Sequence, residues 1–549
     1  MNGPATSFTD TMPRWGWALL ISALIFSAYQ LSREAAYEFV RAQRDHGSDV
    51  DVLLSNRVFQ QWGFREVEGR IYQWGVTTVP SYKGYPPLPN WGYYGLTLLG
   101  LEGISAHRYA MATIAWIGLI ISFLAIRRWF DWRYGLGVVV YMATLPFFVR
   151  MGAGFHQYPY SFVLWPAMLW AIAHWTACPR QIGRIGLLIL IAFLLTLTTY
   201  EYVLYSLVVG SGYVYWRGSS RQQLLWLWLW MGVGIGAALG LWYGINILEN
   251  GWEAFVHDLL YRLQRRTASA PVGIDATRGM LKYLYRFEKE LGPGAFVSFG
   301  LFLLLRLNHA TRSYRWLILI LWLGGMSWTV AMFSHAMHHS YFVVVRSYYL
   351  PMALTFTYLF IFFYQKWRMN IGHRRIGWGV AMGILVFLQL DRMMEVFALE
   401  REELVPGGAR QAIEAIVANG SRWKVLYSMH PVEERRVWEY YFVKAADTPI
   451  TTGILTFPLN ISDSLQNYCP HLAMVVSKNN ASLFYRLYDP HRGGPISSRL
   501  RRVIGNKSLP PPEETHLLLR QMRSCIAYED ARYVLLFPCS CTSILTDAH

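Results

Sequence analysis

The chain has 549 residues, of which 54% are hydrophobic and only 15% are charged, and its mean hydropathy is +0.23. Soluble domains carry about 25% charged residues, so this composition excludes an ordinary soluble enzyme and indicates a multi-span membrane protein. The formal net charge of +16 does not indicate a nucleic-acid partner, because the basic residues lie in short gaps between apolar runs rather than in one patch.

A membrane-spanning helix needs about 20 apolar residues, and about eleven stretches of the chain approach this requirement. They lie at residues 15–32, 107–126, 134–149, 159–176, 185–200, 201–216, 223–246, 294–306, 316–333, 350–364 and 377–393. We therefore predict an all-α polytopic membrane domain over residues 1–393.

Alternate gaps between these stretches carry arginine and lysine, which favour the cytosolic side of a membrane. Examples are Arg127 with Arg128, Arg180 with Arg184, and Lys366 with Arg368. This pattern predicts a cytosolic N-terminus and extracytosolic loops at 33–106 and 247–293. It also places the C-terminal segment outside the cytosol, and we expect a bacterial inner membrane with that segment in the periplasm.

Residues 394–549 differ in composition from the rest of the chain. A helical pattern at 409–419 is followed by short β-like runs at 424–429, 472–476 and 533–537, which predicts a small extracytosolic α/β domain. Four of the five cysteines lie here, at Cys469, Cys525, Cys539 and Cys541. Disulfides in an oxidising compartment, free thiols and a zinc site are the alternatives, and the one-residue gap between Cys539 and Cys541 disfavours zinc.

The first extracytosolic loop carries the most specific pattern. Residues 47–63 read GSDVDVLLSNRVFQQWG, and residues 85–91 read YPPLPNW. Further along the chain are RRWF at 127–130 and RSYYLP at 346–351. In this order, the motifs resemble the GT-C superfamily of membrane glycosyltransferases over roughly residues 15–365. The branches they resemble are the protein O-mannosyltransferases and the bacterial aminoarabinose transferases.

The resemblance implies an enzyme that moves a sugar from a polyprenyl-phosphate donor to an acceptor hydroxyl at the outer membrane surface. Such a reaction needs a base for the hydroxyl proton and cations for the departing phosphate. By resemblance Asp49 is the first candidate base and Asp51 the second, although their side chains project to different helix faces. Asp49 is equally well placed to cap a helix that begins at Val50, so both roles stay open.

Cations near the outer interface are the candidates for holding the phosphate, because they offer charge-assisted hydrogen bonds to its oxygens. Arg346 leads, since it lies in the matching motif, and Lys83 and Arg57 in the first loop follow. Tyr85 and Tyr348, from the same two motifs, are expected to contact substrate. The alternative for each cation is interfacial snorkelling.

The loop after the third predicted span departs from these families. It reads RMGAGFHQYP at 150–159 and lacks the aspartate that they carry there. His156 is the acid–base candidate in this loop, and Gln157 is a candidate hydrogen-bond partner for the sugar. Glu201, at an outer turn, is a second candidate for the missing charge, because carboxylates near membrane depth are costly and tend to be functional.

Three histidines precede Arg346, at His335, His338 and His339. No cysteine or carboxylate lies near them in sequence, which disfavours a metal site. We expect them to form a polar edge of the site that contacts the acceptor. No cofactor is required by the sequence, and a divalent metal stays possible without a clear set of ligands.

Two other functions fit a protein of this class. A lipid or sugar transporter or flippase would show paired repeats and midplane charges, whereas here the ionisable residues collect at the outer ends. A polysaccharide ligase or polymerase with a pyrophosphate-linked donor would also use outer arginines and histidines, but without the early aspartate and Pro-Pro loop. The expected partners of the transferase are the lipid-linked sugar, an acceptor glycan, lipid or protein, and membrane lipids.

Overall fold

The computed structural model describes the helical part of the chain almost continuously and the C-terminal part in pieces. The described residues are 11–37, 52–53, 55–56, 59–60, 86–101, 103–267, 276–292, 294–305, 309–338, 340–397, 405, 407–417, 424–427, 438, 441–442, 451–454, 472–477, 526–529 and 533–536. They belong to two compact units. The first comprises Met1–Tyr37, Tyr85–Pro89 and Leu101–Leu399, and the second comprises Glu38–Gly84, Asn90–Gly100 and Glu400–His549.

The first unit is helical throughout its described elements. They are α1 (Arg14–Ala35), α2 (Leu88–Leu98, shared with the second unit), α3 (Ile104–Trp129), α4 (Trp132–Ala143), α5 (Pro146–Gly152), α6 (Tyr158–Ala177), α7 (Ile182–Thr198), α8 (Glu201–Trp216), α9 (Arg221–Asn250), α10 (Trp252–Thr267), α11 (Ala276–Leu291), α12 (Ala295–Leu304), α13 (His309–Ala331), α14 (Phe333–His338), α15 (Ser340–Met369) and α16 (His373–Phe397). Helix α4 ends three residues before Pro146, whose missing N–H and fixed φ suit the first turn of a new helix.

Every stretch predicted to span the membrane falls on one of these helices or, at 134–149, on the pair α4 and α5. Within the described residues, four helices are long and apolar enough to cross on their own. They are Arg14–Ala35, Ile104–Trp129, Arg221–Leu248 and Val343–Met369, and the pair α4 and α5, bent by 72°, is a fifth candidate. The protein is thus a mostly helical, multi-pass membrane protein, while the number of eleven crossings stays a prediction.

Large aromatic side chains and close helix contacts build the core of the first unit. The indole N–H of Trp129 on α3 donates to the Leu169 carbonyl of α6 over 2.8 Å. Between the same helices, a Cβ added to Gly118 would lie 2.6 Å from the Phe162 carbonyl oxygen. Trp165 on α6 stacks on Tyr202 of α8, with ring centroids 5.4 Å apart. Close packing of this kind fixes the helix ends that carry the charged residues.

Besides residues 90–98 of α2, the second unit contains the helix α17 (Gly407–Val417) and a five-stranded sheet. The strands are β1 (Lys424–Tyr427), β2 (Thr451–Ile454), β3 (Leu472–Ser477), β4 (Ile526–Glu529) and β5 (Tyr533–Leu536), in the order β2-β1-β3-β5-β4. Strand β1 pairs in parallel with β2 and β3, and β5 is antiparallel to β3 and β4. The strands β1, β3 and β5 fall on the three β-like runs seen in the sequence. The four C-terminal cysteines lie outside the described residues, and Cys178 is an exposed free thiol.

Candidate functional site

Three helix ends meet at one end of the first unit. The loop 153–157 leads into α6, the turn at 199–200 leads into α8, and the first turns of α15 contain Arg346. These helices end near the basic gaps at Arg180, Arg217 and Lys366. The meeting point is therefore at the opposite end of the helices from the residues that favour the cytosol.

Arg346 is the centre of this meeting point. Its Nη1 donates to Glu201 Oε2 over 2.8 Å, and its Nη2 donates to the Tyr158 hydroxyl over 3.1 Å. The guanidinium carbon also lies 4.7 Å from the centroid of the Tyr158 ring. The side chains of Arg346 and Glu201 are only 6% and 4% exposed. We call Arg346, Glu201, Tyr158 and Gln157 the Arg346 cluster.

Gln157 joins this cluster through its side-chain amide. With its oxygen facing the guanidinium, the amide accepts hydrogen bonds from Arg346 Nη1 at 2.6 Å and from Nη2, and its nitrogen donates to the Thr198 carbonyl over 3.1 Å. The Tyr202 hydroxyl donates to the Arg346 carbonyl at 3.4 Å. Arg346 and Gln157 together thus connect the loop before α6, the end of α7 and the start of α8.

The ion pair within the cluster constrains the fold strongly. Glu201 is the first residue of α8, where the positive end of the helix dipole stabilises a carboxylate. Removing one partner of a buried ion pair leaves an uncompensated charge, which costs about 3–5 kcal/mol. The hydrogen bonds of Arg346 to the chain therefore position the loop that carries His156 and Gln157.

His156 lies in this loop and is half-buried beside the cluster, with its ring 5.8 Å from that of Tyr158. Burial, together with the positive charge of Arg346, lowers the pKa of His156 to about 3. The imidazole is consequently neutral near pH 7, and it is suited to hydrogen bonding rather than to carrying charge.

Two further predicted residues make other contacts. Tyr348 receives a hydrogen bond from the Tyr283 hydroxyl over 2.9 Å and stacks on Trp322 at 5.2 Å. Half-buried His335 accepts a hydrogen bond from the Trp328 indole N–H through Nδ1, at 3.2 Å. The remaining candidates lie outside the described residues, and their roles stay predictions: Asp49, Asp51, Arg57, Lys83, Tyr85 and His339.

Sequence reasoning missed a second group of charges near the same end of the unit. Glu290 on α11 accepts from Arg286 over 3.0 Å, and its other oxygen lies 3.6 Å from Arg150 at the end of α5. Arg392 on α16 is 1% exposed. Its position inside an apolar run was the available signal, because buried arginines in such runs require partners.

In the described part of the chain, histidine, cysteine, aspartate and glutamate side chains form no group of three or more that could hold a metal ion.

Comparison with known proteins gives the class of the fold. No family model matches the chain, and neither does any curated protein sequence. Among solved structures, the chain matches ArnT from Cupriavidus metallidurans bound to undecaprenyl phosphate, with a TM-score of 0.53 and 14% identity over 95% of this chain and 97% of that chain. It also matches the archaeal oligosaccharyltransferase AglB from Archaeoglobus fulgidus, in complex with an inhibitory peptide and a dolichol-phosphate. That match has a TM-score of 0.51 and 11% identity over 86% of this chain and 70% of the other.

Both matched proteins are GT-C membrane glycosyltransferases. The chain therefore has a GT-C-like fold, as the first-loop and Arg346 motifs predicted, at an identity that establishes the fold alone.

Proposed function

We propose that the protein is a membrane glycosyltransferase that moves a sugar from a polyprenyl-phosphate donor to an acceptor hydroxyl on the extracytosolic face. The observation that carries this proposal is the likeness to ArnT, which extends over nearly the whole of both chains. That protein was solved with undecaprenyl phosphate bound, and a fold shared from end to end favours a shared class of lipid ligand.

The charges at the outer end of the first unit support the same proposal. When the sugar leaves, the polyprenyl phosphate gains negative charge, and preorganised cations stabilise it. The described residues place Arg150 and Arg286 beside Glu290, and Glu395 is a second carboxylate near Arg150. Burial and the neighbouring Arg286 lower the pKa of Lys282, one turn earlier on α11, to about 8. Several cations therefore lie at the end of the unit where the phosphate would be released.

The chemistry divides between two sets of residues in this proposal. Asp49 takes the proton from the acceptor hydroxyl, whose oxygen then bonds to the anomeric carbon as the bond to the phosphate oxygen breaks. The Arg346 cluster holds the loop with His156 and Gln157 in a fixed position, where their side chains orient the sugar. Lys83 and Arg57 supply further positive charge from the first loop.

The test is release of polyprenyl phosphate from a panel of polyprenyl-phosphate-linked sugars, with purified protein and bacterial membranes as the source of acceptor. We expect release from at least one sugar donor, and a loss of about 10²–10⁴-fold in the Asp49→Asn variant. Asparagine caps a helix as well as aspartate does, so this variant removes the base and keeps the cap. Asp51→Asn is the matched control and should retain activity.

Two results would overturn the proposal. One is the absence of release from every sugar donor that the protein binds, which would favour transport of the lipid. The other is equal release by the wild type and the Asp49→Asn variant, which would remove the proposed base.

A further inference from the structure

Arg392 is a buried arginine whose three guanidinium nitrogens make no well-formed hydrogen bond to the residues that the structure describes. Its side chain is 1% exposed, and the Tyr141 hydroxyl is the polar group that approaches it. A guanidinium carries five N–H groups and no acceptor, and it stays charged at any ordinary pH. Buried polar groups are almost always hydrogen-bonded, so three unsatisfied nitrogens on one buried cation require an explanation.

Aromatic stacking accounts for only part of this environment. The guanidinium carbon lies 4.5 Å from the Tyr141 ring centroid and 5.1 Å from that of Phe356. Such contacts use the flat faces of the guanidinium, whereas its N–H groups point outward in its plane. The rings of Tyr141 and Phe356 therefore hold the Arg392 guanidinium in place and leave its N–H groups available to a ligand.

The backbone around Arg392 is arranged to admit the guanidinium. Gly292, just after α11, has a φ of +103°, and a Cβ added there would collide with Nε and Nη2 of Arg392. The preceding carbonyl, that of Leu291, accepts a hydrogen bond from the Tyr141 hydroxyl over 2.8 Å. The same tyrosine thus holds the turn after α11 and stacks on Arg392.

Charged side chains of both signs lie near Arg392. Glu395, one turn later on α16, has Arg150, Glu290, Lys289 and Arg392 as its electrostatic neighbours. Glu290 accepts from Arg286, and its other oxygen lies 3.6 Å from Arg150. Arg150 and Arg286 therefore belong to the same group of charges as Arg392.

We infer that Arg392, clamped between Tyr141 and Phe356 against Gly292, anchors an anion-binding site for a phosphate group. A phosphate presents several oxygens to the in-plane N–H groups of an arginine, and this geometry allows two parallel hydrogen bonds. Arg150 and Arg286 border the site and supply further positive charge. The site is separate from the Arg346 cluster, whose arginine donates to its own chain, and it does not depend on the proposed transferase activity.

The experiment measures the thermal unfolding midpoint of the full-length protein in detergent at constant ionic strength. The probes are inorganic phosphate and dihexanoyl phosphatidic acid, and dihexanoyl phosphatidylcholine is the control without a phosphate monoester. We expect a saturable rise in the wild-type midpoint with a phosphate probe and none with the control. A rise with both probes means that the phosphate group suffices, whereas a rise with phosphatidic acid alone identifies a lipid headgroup.

Arg392→Met should abolish this rise while leaving the midpoint without phosphate unchanged or higher, because an unpaired buried charge is removed. Arg375→Met is the matched control: Arg375 is on the same helix and lies 4.5 Å from the Trp367 ring centroid, but it is exposed. If Arg392→Met fails to fold, Arg392→Lys is the second variant to measure, because it keeps the charge. It should raise the half-saturating phosphate concentration about tenfold or more, because lysine lacks the in-plane pair of N–H groups. The inference is overturned if neither probe stabilises the wild type, or if the Arg392 variant that folds responds as the wild type does.

Discussion

Arg346 and Arg392 are both buried arginines near the same end of the helical unit, and their surroundings differ in one decisive respect. Arg346 donates to Glu201, Tyr158 and Gln157. Arg392 lies over two rings and makes no well-formed hydrogen bond to a described residue. Burial alone therefore does not assign a role to a charged residue. An arginine whose N–H groups donate to the protein positions its own chain, and one whose N–H groups lack acceptors indicates a ligand.

The largest effect that separates the two arginines is expected at Arg346. Arg346→Met should lower the free energy of unfolding by about 3–5 kcal/mol, because Glu201 is left buried and unpaired. Thermal or denaturant unfolding in detergent measures this. The double variant Arg346→Met/Glu201→Leu is the control and should recover most of the loss, since it removes both charges. A loss in the double variant equal to that in the single one would show that the ion pair is not the cause.

The turn at Gly292 offers the next largest effect, and it tests where Arg392 lies. Gly292→Ala should destabilise the protein by about 2–3 kcal/mol, because the new Cβ collides with the guanidinium and the positive φ is strained. In an Arg392→Ala background, only the backbone strain remains, so the same substitution should cost less. An equal cost in both backgrounds would mean that the guanidinium does not pack against this turn.

The pH dependence of stability tests the burial of His156 beside Arg346. The pKa of His156 is about 3 in the fold and 6.5 in the unfolded chain, so the unfolded chain binds more protons between these values. The stability contribution is complete above about pH 6.5 and falls as the pH drops toward 3. Between pH 7 and pH 5 the loss should be about 2 kcal/mol.

His156→Gln should remove this component of the pH dependence, which unfolding midpoints at pH 7 and pH 5 would detect. Unchanged pH dependence in the variant would mean that the imidazole is not buried neutral. Other titrating groups contribute equally to the wild type and the variant, so the difference between their pH dependences reports His156 alone.

The smallest expected effect concerns the hydroxyl contacts between α11 and the helices α13 and α15. The Tyr283 hydroxyl lies 2.9 Å from Thr329 Oγ1 and from the Tyr348 hydroxyl. Tyr283→Phe should lower the free energy of unfolding by about 1 kcal/mol, the usual net value of a buried hydrogen bond. Tyr261→Phe on α10, where the tyrosine is 57% exposed, is the control and should be neutral. An effect of equal size at both positions would argue against these contacts.

The sequence was sufficient for the helices and for the class of fold. Apolar runs located the helices correctly, because hydropathy is a property of each segment by itself. The break before Pro146, near the end of the predicted span 134–149, was missed, because a proline within an apolar run can either kink one helix or begin a second.

The partners of the charged residues were harder to predict. Arg346 and Glu201 were both chosen from sequence, but separately, as a phosphate holder and a catalytic charge. They are 145 positions apart, so no local pattern links them. Arg392 was not among the predicted site residues, although it lies inside the predicted span 377–393. Only the packing of α16 against Tyr141 and Gly292 reveals its burial.

The most direct test of the transferase proposal is native mass spectrometry of the detergent-purified protein with undecaprenyl phosphate and, separately, with undecaprenol. The two lipids share the prenyl chain and differ in the phosphate, so the comparison isolates recognition of the phosphate. We predict a one-to-one adduct with undecaprenyl phosphate that survives collisional activation sufficient to strip undecaprenol and ordinary phospholipid. Retention of undecaprenol to the same extent, or of neither lipid, would contradict the proposal that the protein uses a polyprenyl-phosphate donor.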